Sequence, residues 1–270
     1  MFPLKDNIPN ERFPLVTVAL IVINVVAYLL SIRHGGSFFG GPSTATSVQY
    51  GAIPYEITHA GHHCGLVSLQ TVEGLTAEVG CQGERLPNGA VVSGSPPAQP
   101  PTWETAFTSM FLHGGFLHIF GNMLFLAIFG PNVEEAMGRL RYPFFYLLGG
   151  LIALGAQVAI DPSSTAPTLG ASGAIAAVLG GYIILYPRAR ILSLVLIIFF
   201  VTIVEVPAIF LLGFWFLTQL YFGAAGLSDP VGSAGGVAYF AHIGGFVFGL
   251  ALIGLFAKHR RSVPPRYPVY

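Results

Sequence analysis

The chain has 270 residues, of which 53% are hydrophobic and 9% charged, and its formal net charge at pH 7 is zero. A soluble domain carries about 25% charged residues, so a water-covered globule is excluded and lipid is the expected solvent. No basic stripe offers a surface to nucleic acid.

The apolar runs predict six membrane-spanning helices, because no water is present in lipid to satisfy exposed backbone groups. The first covers residues 14–31. It lacks a small-residue cleavage site and is followed by more spans, so it reads as a signal anchor. A polar stretch rich in Gly, Ser, Thr and Pro then fills residues 33–103, with residues 96–101 as a stiff linker. The second span starts between Phe107 and Phe111 and ends at Gly130-Pro131. The third covers residues 142–160, and the fourth residues 169–186, closed by Pro187. The apolar run from Ile191 to Phe222 is about 32 residues, roughly 48 Å as one helix, too long for a hydrocarbon core of about 30 Å. A split at Glu205-Val206-Pro207 leaves a β-branched interfacial segment and a fifth span over residues 207–222. Pro207 suits the helix start, and Glu205 complements its positive end. The sixth span covers residues 236–257.

Basic residues set the orientation. Six spans put Lys5, Arg12, Arg139, Arg141, Arg188, Arg190, Lys258, Arg260, Arg261 and Arg266 on one side, and only Arg33 and Arg85 on the other. By the positive-inside rule the 1–13 segment and the 258–270 tail are then cytoplasmic, and the 33–103 loop is external. Cys64 and Cys81 lie in that loop, in an oxidising compartment, where a disulfide closing about 17 residues would contribute around 3 kcal/mol. The rival reading is a metal site drawn from His59, His62, His63 and Cys64, although their spacing matches no closed zinc motif.

Two polar residues interrupt the later spans. Ser172 stands in Leu169-Gly170-Ala171-Ser172-Gly173, and His242 in Ala241-His242-Ile243-Gly244-Gly245. Ionisable groups inside a membrane are costly and usually functional. Both spans descend from the outside, which puts both residues at similar depth near the outer face. Ser172, Ala176 and Gly180 share one helical stripe; Ala238, His242, Gly245 and Gly249 share another. Small residues let helices approach closely, and Gly245 to Gly249 is a G-x-x-x-G pair. If the stripes face each other, the hydroxyl meets the imidazole. A serine is a weak nucleophile until a base such as neutral His removes its proton. Neither span holds an acid, so a Ser-His dyad with its ring held by packing is expected. The first turn of the fourth helix adds unpaired N–H groups and a positive dipole end for an oxyanion. In the second span His118 and Asn122 are four apart on one face, with His113 at the mouth. Phe210, Phe214, Trp215 and Phe216 read as lipid-facing bulk, and Gln219 as a hydrogen-bond partner near the outer end.

His113-x4-His118-x3-Asn122, Gly170-x-Ser172-Gly173 and Ala241-His242-x2-Gly245-x3-Gly249, on the second, fourth and sixth spans, resemble the rhomboid family of intramembrane serine proteases. The resemblance covers about residues 103–257 and a first span of the right kind. It implies an all-α, six-helix rhomboid-like bundle over residues 14–257. It also implies Ser172 as nucleophile and His242 as base. His118 and Asn122 would line the oxyanion site beside Gly170 and Gly173, and Gly245 and Gly249 would pack the site helices. Transmembrane segments of other membrane proteins would be the substrates, cut near the outer face, without metal or nucleotide. Two positions depart from the family pattern. Ala176 stands where some bacterial members stack a Tyr on the base, so Tyr239 or Phe246 is expected to support the ring. Trp103-Glu104 replaces a frequent Trp-Arg pair. A multi-pass protein of a bacterial plasma membrane is the expected setting. The competing classes are a transporter, which needs a polar path through the apolar inner halves of the fourth and sixth spans, and a non-catalytic binder of transmembrane helices.

Overall fold

Leucine-, valine- and phenylalanine-rich runs without interior charges can satisfy their backbones in lipid only as helices, and the computed structural model is mostly helical. It describes residues 2–71, 74–84, 99–197, 200–228 and 237–258. Arg85, residues 96–98 of the linker, Gly236 and the basic residues of the tail beyond Lys258 lie outside the described residues. In chain order come β1 (Phe2–Asp6), α1 (Leu15–Ser31), α2 (Thr44–Tyr50), α3 (Pro54–Thr58), β2 (Cys64–Thr71), β3 (Gly74–Cys81), α4 (Thr102–Thr108) and a 3-10 turn (Ser109–Phe111). There follow α5 (Phe116–Met137), α6 (Arg141–Ile160), α7 (Ser172–Leu185), β4 (Arg190–Ile197), β5 (Phe200–Pro207), α8 (Ala208–Ser228) and α9 (Tyr239–Phe256). By length and composition α5, α6, α8 and α9 can cross a membrane; α1 and α7 are shorter apolar helices. The protein is a multi-pass membrane protein.

The all-α expectation needs correction. Arg190–Ile197 and Phe200–Pro207 pair as antiparallel strands, with Leu192 opposite Glu205 and Leu194 opposite Ile203, and β1 pairs with the free edge of β4. The cause is local: β-branched residues favour a pleated strand, and the run alternates. Ile191, Ser193 and Val195 are buried, while Val201 and Ile203 on the partner strand are exposed. Glu205 lies three residues before the start of α8. It lies on β5 and accepts a 2.9 Å hydrogen bond from the Arg190 guanidinium. The second span also shifts. The 3-10 turn and a loop precede α5, which runs through Pro131 to Met137. Beyond Pro131 the last turns are anchored by Asn132 and Glu134, which offsets the backbone hydrogen bond a helical proline forfeits.

The chain divides into two units. The first comprises Met1–Ile23, Phe120–Ala156 and Ser172–Tyr270. In it α7 and α9 pack backbone against backbone. A Cβ on Gly245 would collide with the Gly173 carbonyl, one on Gly249 with the Ala177 carbonyl, and one on Gly180 with the Phe246 carbonyl. Three glycines at the crossing thus set the helix separation. Several chain segments meet at the end of this unit away from the α7 and α9 N-termini. Glu134 accepts from the Val16 and Thr17 N–H groups and from the Thr17 hydroxyl, so a carboxylate of α5 caps the start of α1. The Asp6 carboxylate takes hydrogen bonds from Asn132 Nδ2 (2.6 Å) and Tyr182 Oη (2.7 Å). Lys258 N–H donates to the Ala136 carbonyl, and Arg141 donates to that of Phe256.

The second unit comprises Asn24–Ile119 and Gln157–Ala171. Its β2–β3 hairpin sets Cys64 directly opposite Cys81, and the two are joined by a disulfide. The buried Glu56 carboxylate accepts from Cys64 N–H at 2.6 Å, and its burial pushes its pKa up. An antiparallel bridge between Ala52 and Thr168 ties the loop before α7 to this unit.

Candidate active site

Ser172 is the first residue of α7 and His242 lies in the first turn of α9. Close approach of the two helices brings the side chains together: His242 Nε2 and Ser172 Oγ are 2.7 Å apart, within reach for proton transfer. Gly173 permits that approach, since a Cβ there would press on Ala153 Cβ at 2.6 Å and would also meet Ala241.

The imidazole does not rest on packing alone. Its Nδ1 lies 2.8 Å from Gln219 Oε1 on α8, a bond the dyad expectation did not contain. The Trp215 ring is tilted beside it, with centroids 5.8 Å apart. Tyr239 meets it edge-on at 6.5 Å. Phe246 packs against Trp215 and Phe216, supporting the ring's neighbours. The aromatic run of α8 therefore divides. Phe210 and Phe214 are exposed as expected for lipid-facing bulk, whereas Trp215 and Phe216 face α9. A single helical turn separates Trp215 from Gln219, and that spacing was the available signal for this wall of the site.

Asn122 on α5 is 8% exposed, and its Nδ2 has no hydrogen-bond partner. A buried amide donor left unpaired costs about 1–3 kcal/mol, so the position needs an explanation beyond stability. Its helix neighbour His118 belongs to the second unit. There His118 Nδ1 accepts from Gly114 N–H at 3.3 Å, and its ring meets that of His113 edge-on. Gly170, also in that unit, has φ +121°, open to glycine but strained for other residues, and its N–H donates to the Ser109 carbonyl. The histidines between α3 and β2 form no ligand set among the described residues: His59 stacks on Tyr55, His63 Nδ1 is 4.0 Å from Glu56, and the Cys64 sulfur is committed to Cys81.

A serine hydroxyl within hydrogen-bond distance of an imidazole, both on apolar helices of a multi-pass membrane protein, defines a class: membrane proteins with a polar pair enclosed in a bundle of apolar helices. Residues 100–259, more than half of the chain, match the Rhomboid domain, and the chain belongs to the rhomboid family. It is 34% identical to Rhomboid protein 1, mitochondrial, of Saccharomyces cerevisiae, over 53% of this chain and 38% of that protein. It is 29% identical to Rhomboid-type serine protease 2 of Emericella nidulans, over 57% and 27% respectively. It is 31% identical to Putative rhomboid protease YdcA of Bacillus subtilis, over 30% and 40%. The matched segments span less than half the length of each of these relatives.

Proposed function

We propose that the protein is an intramembrane serine endopeptidase that cuts transmembrane segments of other membrane proteins. The observation that carries this reading is the 2.7 Å contact between His242 Nε2 and Ser172 Oγ, reinforced by the family and by relatives named as proteases. In this mechanism His242 takes the hydroxyl proton as Ser172 Oγ attacks the scissile carbonyl carbon. The imidazolium then gives its proton to the leaving amine, and a water activated by the same ring hydrolyses the acyl-enzyme. Asn122 Nδ2, a buried donor with no hydrogen-bond partner, donates to the oxyanion that forms. N–H groups of the first turn of α7 add to it, since that turn has no intrahelical acceptors. Gly173 follows the nucleophile on α7, and His118, Gly170 and Gly173 are assigned to oxyanion and substrate binding by the family resemblance of their motifs alone.

We further infer six spans, with α1 and α7 as the two short ones, and both termini in the cytoplasm of a bacterial cell. Support comes from the ten-to-two charge asymmetry and from the gathering of the N-terminal strand, the end of α5 and the end of α9 at one end of the first unit. Labelling with a serine-reactive fluorophosphonate in native membranes tests the nucleophile. Wild type should label and Ser172→Ala should not. Equal labelling of both, or of neither while the fold is intact, removes the protease reading.

A further inference from the structure

We propose that Thr218 and Gln219 on α8 fix the proton polarity of the site, holding His242 as the Nδ1–H tautomer whose bare Nε2 receives the serine proton. The proposal rests on the protease reading for its catalytic consequence, but the tautomer itself does not.

The polarity follows from a backbone carbonyl, which can only accept. The Trp215 carbonyl takes the Thr218 hydroxyl proton at 2.6 Å and one Gln219 amide proton at 3.2 Å. With its proton so committed, Thr218 Oγ1 accepts the second Gln219 amide proton at 3.0 Å. Both Nε2 protons of Gln219 are then used, and its Oε1 is the atom left facing the imidazole, 2.8 Å from Nδ1. An amide oxygen has no proton to give, so Nδ1 must carry one. In a neutral ring Nε2 is then the acceptor, and its partner at 2.7 Å is the Ser172 hydroxyl. Reversing the amide would set Oε1 against the Trp215 carbonyl and an N–H against Nδ1. The ring would then point an N–H at Ser172, a tautomer unable to act as base. Gln219 is 92% buried, so water competes little for these bonds. Gln219 is thus a positioning residue: it touches the base, not the reacting atoms. An uncharged acceptor here does the orienting that an aspartate does in triads, without placing a carboxylate in the bilayer.

The test combines a spectroscopic and a kinetic readout on the full chain. 15N NMR of labelled histidine, with the His242 resonances assigned by difference against His242→Ala, should report Nδ1–H in wild type. Gln219→Met, which keeps the volume and loses the acceptor, should give mixed tautomers. Fluorophosphonate labelling and kcat should both fall about 10- to 100-fold, the range seen when partners that orient metal-bound imidazoles are lost, with KM little changed. Gln219→Glu, as the neutral acid whose single proton goes to the Trp215 carbonyl, keeps an accepting oxygen on Nδ1 and should recover most of the rate, which general loss of packing would not. An Nε2–H tautomer in wild type overturns the proposal whether or not Gln219→Met folds. So does a folded Gln219→Met that labels at the wild-type rate. Absence of label on wild type with Nδ1–H observed leaves the tautomer assignment standing and removes the protease reading.

Discussion

At the scale of single residues, Ser172, His242 and Asn122 carry separable expectations. Ser172→Ala and His242→Ala should each abolish cleavage of a transmembrane substrate while leaving the melting temperature in detergent close to wild type, because neither truncation opens the α7–α9 contact, which glycine backbones form. Asn122→Ala should lower kcat about 10²- to 10³-fold with a smaller effect on KM, since a donor to an oxyanion acts mainly in the transition state. A rise in KM at unchanged kcat would assign Asn122 to substrate binding instead. Ser172, His242 and Asn122 were legible as candidates because each polar group interrupts an apolar run. Gln219 was legible only as an unspecified hydrogen-bond partner. Its true partner lies 23 positions away on another helix, and no local periodicity encodes that pairing.

At the scale of elements, the α7–α9 crossing and β1 make the sharpest claims. Gly249→Val puts a branched side chain against the Ala177 carbonyl. Overpacking of this kind costs about 1–3 kcal/mol, and moving α9 also carries His242 away from Ser172. Thermal melting and labelling should therefore fall together; a variant with normal labelling would mean the crossing does not set the site. For β1, burial pushes the Asp6 carboxyl up to about 6, its bonds to Tyr182 and Asn132 opposing only part of that rise. The native protein consequently holds the Asp6 proton at pH values where the unfolded chain has released it. Stability from this group is full below about pH 4 and declines through about pH 6 as the buried carboxyl ionises, a loss of about 3 kcal/mol. Asp6→Asn keeps an oxygen for both donors and removes the charge, so it should raise the melting temperature at pH 7 to 8 and flatten its dependence between pH 4 and 6. An unchanged pH profile would show that Asp6 is not the group responsible. In the second unit, mass spectrometry of unreduced protein should find the peptides of Cys64 and Cys81 linked. Reduction should cost the hairpin about 3 kcal/mol, as expected for a loop of this length.

At the scale of the whole molecule, the expected topology puts Lys5, Arg139, Arg188 and Lys258 on one side of the membrane and the β2–β3 hairpin on the other. Single cysteines introduced at Arg139 and Arg188 in a chain whose native cysteines are serine should resist a membrane-impermeant maleimide in intact cells, whereas one at Phe39 should react. Reaction at Arg188 but not at Arg139 would break the six-span count. The sequence by itself determined that lipid is the solvent, roughly where the helices fall and which residues are anomalous there, because hydropathy, helical periodicity and stranded polar groups are local properties. It marked the stretch from Ile191 to the Glu205-Val206-Pro207 split as a β-branched interfacial segment but, within an all-helical fold class, did not assign it to strands, although β-branched residues favour them. Only the tertiary structure decided that β1 closes that sheet, that Glu134 caps α1 and that Gln219 faces His242. Those contacts join residues distant in sequence, so no local pattern encodes them.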